Sequence, residues 1–514
     1  MNIQPTLTAA LLAALLTGCT SLPPVPAAPD QPWIDTTPPV SGHHPWAVQT
    51  AAITAIPQSG KLPEPVFEVP SVPLPAQAPS QVRIDPQQPL GLVELIDIAQ
   101  RESPLTRRAW NAARQAALGV GLVDATFLPM LSASVLTGWQ ETRYPLPDNH
   151  LGIDQLQARS HGTVPLLALS WLLFDFGQRS ALREGAAQLS LAANVLFNAS
   201  HQQLIRDVTE QYYQYTTARQ RVRLSAQSLA LQQQVLDAAQ ARFHAGIGTT
   251  VDIALASQAV AQARLQVVNS QGLEKIARLA LLGTMGLAPD APLAVAPPNN
   301  HPLPPDVQAM TQEALHLALA RRPDIVAQYA ALKAEEAKVQ AAEAAFMPKV
   351  YLGAVYAHQK QHFQLNSLPE LGMQSSSSGV MLGVSLPLFD GGLRRNRLQS
   401  AKISARQAQD NLQTLQQDAL REMAAADTTL QSALASHVAA SELTHTAQTA
   451  YEAALAAYQS GLGTITVANE AANQLLLARL ARLDARSASQ IAAANLAFAT
   501  GAMVRSQQQW LASD

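Results

Sequence analysis

The chain has 514 residues, a net charge of −3, and charged side chains at 14% of its positions. This balance offers no basic field for a nucleic acid, and the charged share is low against the roughly 25% of an ordinary soluble domain. No run reaches the roughly 18 consecutive apolar residues of a membrane-spanning helix, so the chain is either soluble or crosses a membrane by another route.

The N-terminus carries an apolar stretch that leads to the single cysteine. Residues 7–16 have the length of a signal-peptide core, and Leu16-Thr17-Gly18-Cys19 resembles a bacterial lipobox. The preceding residues lack Lys and Arg, and a chance cysteine in an ordinary signal peptide is the alternative. We predict a lipoprotein signal peptide over 1–18 and a mature chain starting at Cys19, which carries a diacylglycerol and an N-acyl chain.

A proline-rich segment follows the cysteine. Residues 20–89 contain 17 of the 34 prolines, and proline fixes φ and removes a backbone donor. We expect residues 19–89 to be an extended, partly disordered N-terminal extension that serves as a tether or spacer, with a proline-rich ligand for another domain as the alternative.

The rest of the chain is one unit written twice. The stretch ATFLP (125–129) resembles AAFMP (344–348) at a shift of 219 residues, whereas LLFDFGQR (172–179) resembles PLFDGGLR (387–394) at a shift of 215. Because loops absorb length changes more readily than packed elements, the interval in which the shift changes should contain a loop.

Inside that interval the pattern becomes strand-like in both copies. Residues 131–142, 163–174, 350–359 and 379–389 are rich in β-branched and aromatic residues, and each has about the 9–11 residues of a tilted membrane strand. The polar stretches 143–162 and 361–378 read as loops. Each half is therefore predicted to hold one β-hairpin, at 130–174 and 349–389.

Long proline-free intervals follow the hairpins. Gly177 to Gly246 and Gly392 to Gly461 both span 69 residues, and small or apolar residues recur at coiled-coil steps with one stutter. Those in the second copy are Ala401, Ala405, Ala408, Leu412, Leu415, Ala419, Met423, Ala426, Leu430 and Ala433. A helix of this length measures roughly 100 Å, which no single globular domain needs.

These patterns predict the following organisation. The first repeat, 90–286, holds a helix, the hairpin, a long helix over 177–246 and a return helix over 249–286. A linker spans 287–305. The second repeat, 306–501, holds one helix up to 346, the hairpin, a long helix over 392–461 and a return helix over 464–501. The tail is 502–514. The linker, the N-terminal segment and the tail should gather at mid-height.

No catalytic constellation is present in the sequence. The 12 histidines are scattered, and GIGTT is not a phosphate-binding loop because no lysine follows it. His358 and His362 lie four apart in a predicted strand and face one side at some distance, so we predict no metal site.

The ordered set of motifs resembles the TolC family of outer-membrane efflux proteins over about residues 90–505. The matches are the lipobox, the duplicated F-D-x-G, the stretch RRPD (321–324) leading to AAFMPKV, and the duplicated G-x-G-T. The resemblance implies a mainly α fold with a membrane β-barrel. A homotrimer would combine four strands per chain into twelve, under which the long helices form a trimeric α-barrel of coiled-coil helices across the periplasm.

The same resemblance implies a passive exit duct that needs no enzyme activity and no cofactor. It would sit in the outer membrane and its lipid, with a periplasmic adaptor and an inner-membrane pump as partners. The alternative is a periplasmic coiled-coil adaptor or scaffold lipoprotein without a channel, which leaves the two apolar hairpins unexplained.

Three groups of residues follow as candidate sites. The adaptor-docking tips are predicted at Gly246, Ile247, Gly248, Thr249, Gly461, Leu462, Gly463 and Thr464. A periplasmic gate is predicted at Asp252, Asn469 and Glu470, with a solvated helix face as the alternative. The strand-to-helix junctions are Phe174, Asp175, Gly177, Phe389, Asp390 and Gly392, where the two aspartates are expected to cap helices.

Overall fold

The structure is a computed structural model that describes residues 85 and 87–503, apart from 146–154, 299–301, 306 and 367. All of these belong to one compact unit, Ser80–Asp514. The predicted signal peptide, Cys19, nearly all of the proline-rich extension and most of the tail lie outside the described residues.

The described elements repeat the same order twice. The first half contains α1 (Leu92–Glu102), α2 (Pro104–Ala125), β1 (Met130–Pro145), β2 (Gln155–Phe174), α3 (Gln178–His244) and α4 (Thr250–Met285). The second half contains α5 (Gln312–Leu319), α6 (Pro323–Ala344), β3 (Lys349–Leu365), β4 (Leu371–Ser385), α7 (Leu393–Gln459) and α8 (Ile465–Ala499).

The helix that precedes each hairpin is broken, where the sequence analysis expected one continuous helix. Pro104 and Pro323 each occupy the first turn of a new helix, after Ser103 and Arg322 in extended conformation. A residue before proline avoids the α region, so the chain turns there and starts a second helix. The expected 306–346 helix is therefore α5 followed by α6.

The four strands form a single antiparallel sheet in the order β1-β2-β3-β4. The two hairpins are thus joined by pairing of β2 with β3, from Ala158 opposite Leu365 to Phe174 opposite Val350. The strands have 16, 20, 17 and 15 residues, longer than the predicted 9–11.

Most of the stretches that we expected to be loops belong to this sheet. Residues 155–162 and 371–378 continue the backbone ladder, for example with Ser376 opposite His358. Polar side chains do not prevent pairing, because the ladder satisfies the backbone whatever the side chains are. The second hairpin ends at Ser385 and not at 389, since Pro387 cannot donate a ladder hydrogen bond.

Each long helix packs against its return helix and against α6. All ten residues of the predicted α7 stripe are buried or half-buried, and Met423 has no exposed surface. Near the turns, one cluster joins α3, α4, α7 and α8 through Val235, Val260, Tyr458 and Leu475. Small residues allow close helix approach, which suits a narrow coiled-coil seam.

The linker meets the start of the first repeat and the ends of the return helices approach the helix breaks. Leu90 donates its N–H to Ala294 O at 2.9 Å and accepts from Ala296 N at 2.8 Å. A Cβ on Gly286 would lie 3.2 Å from Ser103 Cα, and one on Gly501 would lie 3.0 Å from Arg321 O. Both glycines also have positive φ, which explains why glycine stands at both positions.

Among the described residues, none of the helices combines the length and apolar character needed to cross a membrane.

Candidate functional site: helical tips, junctions and strand faces

The two tips are helix-terminating turns with the same backbone geometry. Gly246 has φ 77° and Gly461 has φ 84°. After each, two consecutive N–H groups donate to one carbonyl of the long helix: Ile247 and Gly248 to Arg242 O, and Leu462 and Gly463 to Ala457 O. A left-handed residue lets the chain satisfy these carbonyls while reversing, so glycine is favoured there.

The second glycine of each tip has a different cause. Gly248 and Gly463 do not have positive φ, but they lie against the last helical turn. A Cβ on Gly248 would lie 2.7 Å from Phe243 N, and one on Gly463 would lie 3.2 Å from both Ala457 Cβ and Tyr458 N. The first glycine of each tip is therefore required by its backbone torsion, and the second by lack of space for a side chain.

The apolar residue between the glycines is exposed in both tips. Ile247 is 65% exposed and Leu462 is 88% exposed. The turn itself needs no large side chain at either position, because its hydrogen bonds are made by the backbone. Exposed apolar side chains that the fold does not use are typical of a contact surface.

Arg242 connects the two tips, which the sequence analysis did not foresee. Its Nη1 donates to Tyr458 O at 2.8 Å, and its guanidinium lies 5.1 Å from the centre of the Tyr458 ring. A shift of 215 places Ala457 at the equivalent position of the second copy, so the contact exists once per chain. The duplication gave no signal for it because the residue is not duplicated.

The three predicted gate residues have different surroundings. Asp252 forms a capping box with Thr249: its Oδ2 accepts from Thr249 N at 3.2 Å, and its N–H donates to Thr249 Oγ1 at 3.1 Å. Asn469 and Glu470 instead line a polar groove between α3, α4 and α8. Asn469 Oδ1 is buried without a hydrogen-bond partner among the described residues, and Glu470 accepts from Gln474 Nε2 at 2.6 Å.

Both junction aspartates hold the start of a long helix. Asp175 Oδ2 accepts from Arg179 N at 3.0 Å and Nε at 2.9 Å, and Asp390 Oδ2 accepts from Arg394 N at 3.1 Å and Nε at 2.6 Å. The capping residue itself is Gly177 or Gly392, each at φ 92°. These hydrogen bonds lower the pKa of the Asp390 carboxyl, and the one from the Arg394 side chain has the largest effect.

The junctions differ in the residue before the glycine. Phe176 has φ 54° where the second copy has Gly391 at φ 64°. A bulky residue in the left-handed region is strained, and the ring of Phe176 packs edge-on against Phe174 with 4.8 Å between centroids. Phe389, the counterpart of Phe174, is instead 90% exposed.

The two faces of the sheet differ in character. On β4, Val380, Leu382 and Val384 lie on one face and are 69–74% exposed, whereas the other face carries Met381 between Gly379 and Gly383. Register places Val380 opposite Ala354, which is opposite Leu169, which is opposite Leu131. The apolar face therefore continues across all four strands without a covering layer among the described residues.

Toward the loop end of the sheet, the same face carries an unexpected cluster. His161 and His362 are cross-strand partners, and Glu370 lies beside them. The sequence places His358 and His362 on one side of the same strand, whereas in the structure His362 meets His161 of the neighbouring strand. Pairing of the two hairpins decides which histidines meet, and a single sequence does not reveal that register.

Long helical hairpins with apolar-faced strands at the opposite end define a class of protein: outer-membrane channels. A model of the outer membrane efflux protein family matches residues 95–287 and 314–502. The chain is 30% identical over 447 residues to Protein CyaE of Bordetella pertussis, covering 85% of this chain and 90% of that protein. It is 28% identical to outer membrane protein OprJ of Pseudomonas aeruginosa, covering 63% and 67% respectively.

Solved structures of outer membrane channels have the same fold. The CmeC outer membrane channel of Campylobacter jejuni matches with a TM-score of 0.67 and 17% identity, covering 82% of this chain and 88% of that one. This chain belongs to the outer membrane efflux protein family. It is an outer-membrane efflux protein, as the motif resemblance predicted, and the matches do not support the adaptor or scaffold alternative.

Proposed function

We propose that three copies of the chain assemble into one exit duct whose membrane part is a twelve-stranded β-barrel. The observation that carries this proposal is the sheet order. Within the described residues β1 pairs only with β2 and β4 only with β3, so each outer strand has one unpaired edge. Unpaired edges beside an apolar face are incompatible with lipid, and pairing of β4 with β1 of a neighbouring copy removes them.

The long helices then form the periplasmic part of the duct. Each 67-residue helix extends roughly 100 Å at about 1.5 Å per residue. The tips lie at the helix ends remote from the sheet, where they would meet an adaptor that links the duct to an inner-membrane pump. In this proposal the pump supplies the energy for transport and the duct is passive.

The proposal includes lipidation of Cys19. The lipobox supports it, and acyl chains on the mature N-terminus would anchor each copy beside the barrel. Mass spectrometry of the N-terminal peptide measures this directly. An unmodified Cys19 on protein extracted from the membrane would contradict the lipid anchor and leave the duct unaffected.

The assembly is tested with full-length protein extracted from outer membranes. We expect a particle of three chains, each starting from a 54.7 kDa precursor, by native mass spectrometry, and stepwise conductance in planar bilayers. A monomer that forms no conducting pores would contradict the duct.

Adaptor docking is tested by changing the exposed residues of the tips and leaving the glycines in place. We expect the pair Ile247→Asp and Leu462→Asp to abolish efflux in cells, because charge replaces the apolar contact. The matched control is Ile247→Leu with Leu462→Ile, which keeps apolar area. Trimer yield should be equal in both. Normal efflux from the aspartate variant would refute docking at these residues.

The gate remains a part of the proposal. Three copies of Asp252 and Glu470 around an axis would favour cations and restrict opening, in addition to the helix cap that Asp252 already makes. The variant Asp252→Asn with Glu470→Gln keeps the hydrogen-bonding shapes and removes charge. Unchanged ion selectivity and conductance in single-channel recordings would refute the gate.

A further inference from the structure

We propose that His161, His362 and Glu370 form a binding site for a divalent transition-metal ion at the loop end of the sheet. The site lies within one chain, so it needs no partner. It does not rest on the duct function or on the adaptor, and it uses none of the residues assigned to the tips or the gate.

The geometry already gathers three donors. The imidazole rings of His161 and His362 stack with 4.9 Å between centroids and 12° between planes. His161 Nε2 lies 3.3 Å from Glu370 Oε1. One donor atom from each of the three side chains lies within 4.8 Å of the others. Ligand bonds of roughly 2.0–2.1 Å place tetrahedral donors about 3.3 Å apart, so binding would turn the two rings out of their parallel stack until both nitrogens point at one ion.

Hydrogen bonds connect the loop that carries Glu370 to the strand that carries His161. Asn366, in the loop that carries Glu370, exchanges hydrogen bonds with Gln157 of β2: its N–H donates to Gln157 O at 2.7 Å, and its Oδ1 accepts from Gln157 N at 2.6 Å. This extends the β2–β3 ladder beyond Leu365 and ties the loop to the strand that bears His161.

No side chain from β4 stands beside the His362 ring at position 372. Gly372 lies opposite His362 on β4, and a Cβ at this position would stand 3.6 Å from His362 Nε2. Any side chain there would lie against the donor nitrogen. The three ligands are exposed, so water can complete the coordination sphere.

Two imidazoles and one carboxylate favour ions of intermediate softness such as Zn²⁺, Ni²⁺ or Cu²⁺ over Mg²⁺ and Ca²⁺, which prefer oxygen donors. We assign Zn²⁺ as the probe. Because β2 belongs to the first hairpin and β3 to the second, an ion bound here would link the two halves of the duplicated chain. The link would lie at the loop end of the β2–β3 pairing.

The test uses the full mature protein in detergent, without a polyhistidine tag. His43 and His44 lie outside the described residues and are adjacent in sequence, so all variants carry His43→Ala and His44→Ala to remove a competing pair. Equilibrium dialysis followed by elemental analysis counts bound Zn²⁺ per chain. We expect one ion per chain that a millimolar excess of Mg²⁺ does not displace.

The variants His161→Asn and His362→Asn should each weaken Zn²⁺ binding at least about 10-fold, and Glu370→Gln about 10-fold. His358→Asn is the matched control, because it removes a histidine from the same strand outside the cluster and should bind like the parent. Equal Zn²⁺ binding by the parent and by the double variant of His161 and His362, with both proteins eluting as the same assembly, would overturn the proposal. Displacement by Mg²⁺ would overturn the choice of metal.

Discussion

The first tip (residues 242–249) and the second tip (residues 457–464) end their long helices with matching backbone hydrogen bonds and different side chains. Arg242 and Phe243 of the first tip correspond to Ala457 and Tyr458 of the second. The backbone is repeated because torsion and space allow few residues at such a turn. The side chains are not restricted in this way and differ between the tips. One result is that Arg242 of the first tip hydrogen-bonds to Tyr458 O of the second tip.

The difference has a consequence for how each tip is held. The first tip has a full capping box between Thr249 and Asp252. In the second tip, the Thr464 side chain accepts from Val467 N at 3.5 Å, and Val467 has no side-chain group that could return the hydrogen bond. We therefore expect Arg242 to be the main stabilising contact of the second tip, and the capping box to be that of the first tip. Four sets of substitutions test this comparison, beginning with the largest expected effect.

Gly248→Ala should disrupt the first tip more than Gly463→Ala disrupts the second. The new methyl group would lie 2.7 Å from backbone Phe243 N in the first tip, and 3.2 Å from its nearest neighbours in the second. Both contacts include backbone atoms, but the first is closer and requires the larger shift, at a cost of about 2–3 kcal/mol. Hydrogen exchange at the Ile247 amide measures the effect of Gly248→Ala, and exchange at the Leu462 amide measures the effect of Gly463→Ala. Equal loss of protection would contradict the spatial argument.

Arg242→Ala should loosen the second tip although the changed residue lies in the first. It removes a charged hydrogen bond to Tyr458 O and the contact with the Tyr458 ring, together about 1.5–3 kcal/mol. Amide exchange at Gly461 and Leu462 should accelerate at least about 10-fold. Arg242→Lys keeps the positive charge but loses the planar guanidinium. Its exchange rates should therefore lie between those of the parent and those of Arg242→Ala. Faster exchange only in the first tip would contradict the linkage.

Thr249→Ala should destabilise the first turn of α4 by about 1 kcal/mol, because it removes one half of a reciprocal cap. Thr464→Ala should cost less in α8, where the single hydrogen bond is long and nothing returns it. Exchange rates in the two first turns compare the effects within paired variants. A larger loss in α8 would show that the capping box is not the source of the difference.

The repeat was predictable from the sequence because duplicated motifs fix the order of elements at shifts of 219 and then 215 residues. Gly246 and Gly461 stand out for the same reason, since a left-handed turn restricts its residue more than a helix does. The breaks at Pro104 and Pro323 were also legible in principle, because proline begins helices and cannot continue them.

What the sequence did not reveal depends on pairing between the halves. Arg242 reaches Tyr458 across 216 positions, and His161 meets His362 through the β2–β3 register. Neither pair is marked by periodicity or duplication. The strand ends were misjudged because polar residues such as Ser376 pair through their backbone, which side-chain pattern does not report.

Tyr458→Phe should have the smallest effect and makes the second tip resemble the first, where Phe243 stands. Tyr458 is buried, and its hydroxyl has no hydrogen-bond partner among the described residues, so its removal should be neutral or stabilising by up to about 1 kcal/mol. Burial, with a smaller contribution from Asp252, raises the pKa of the Tyr458 phenol.

A raised pKa means that the unfolded tip releases the phenol proton more readily than the folded tip. The stabilising contribution is therefore complete below the unfolded pKa of about 10 and declines as pH rises through the folded value. Between pH 9 and 11, amide exchange in the second tip, corrected for intrinsic rates, should lose less protection in Tyr458→Phe than in the parent. Identical losses would show that the Tyr458 phenol does not titrate with opening of the tip.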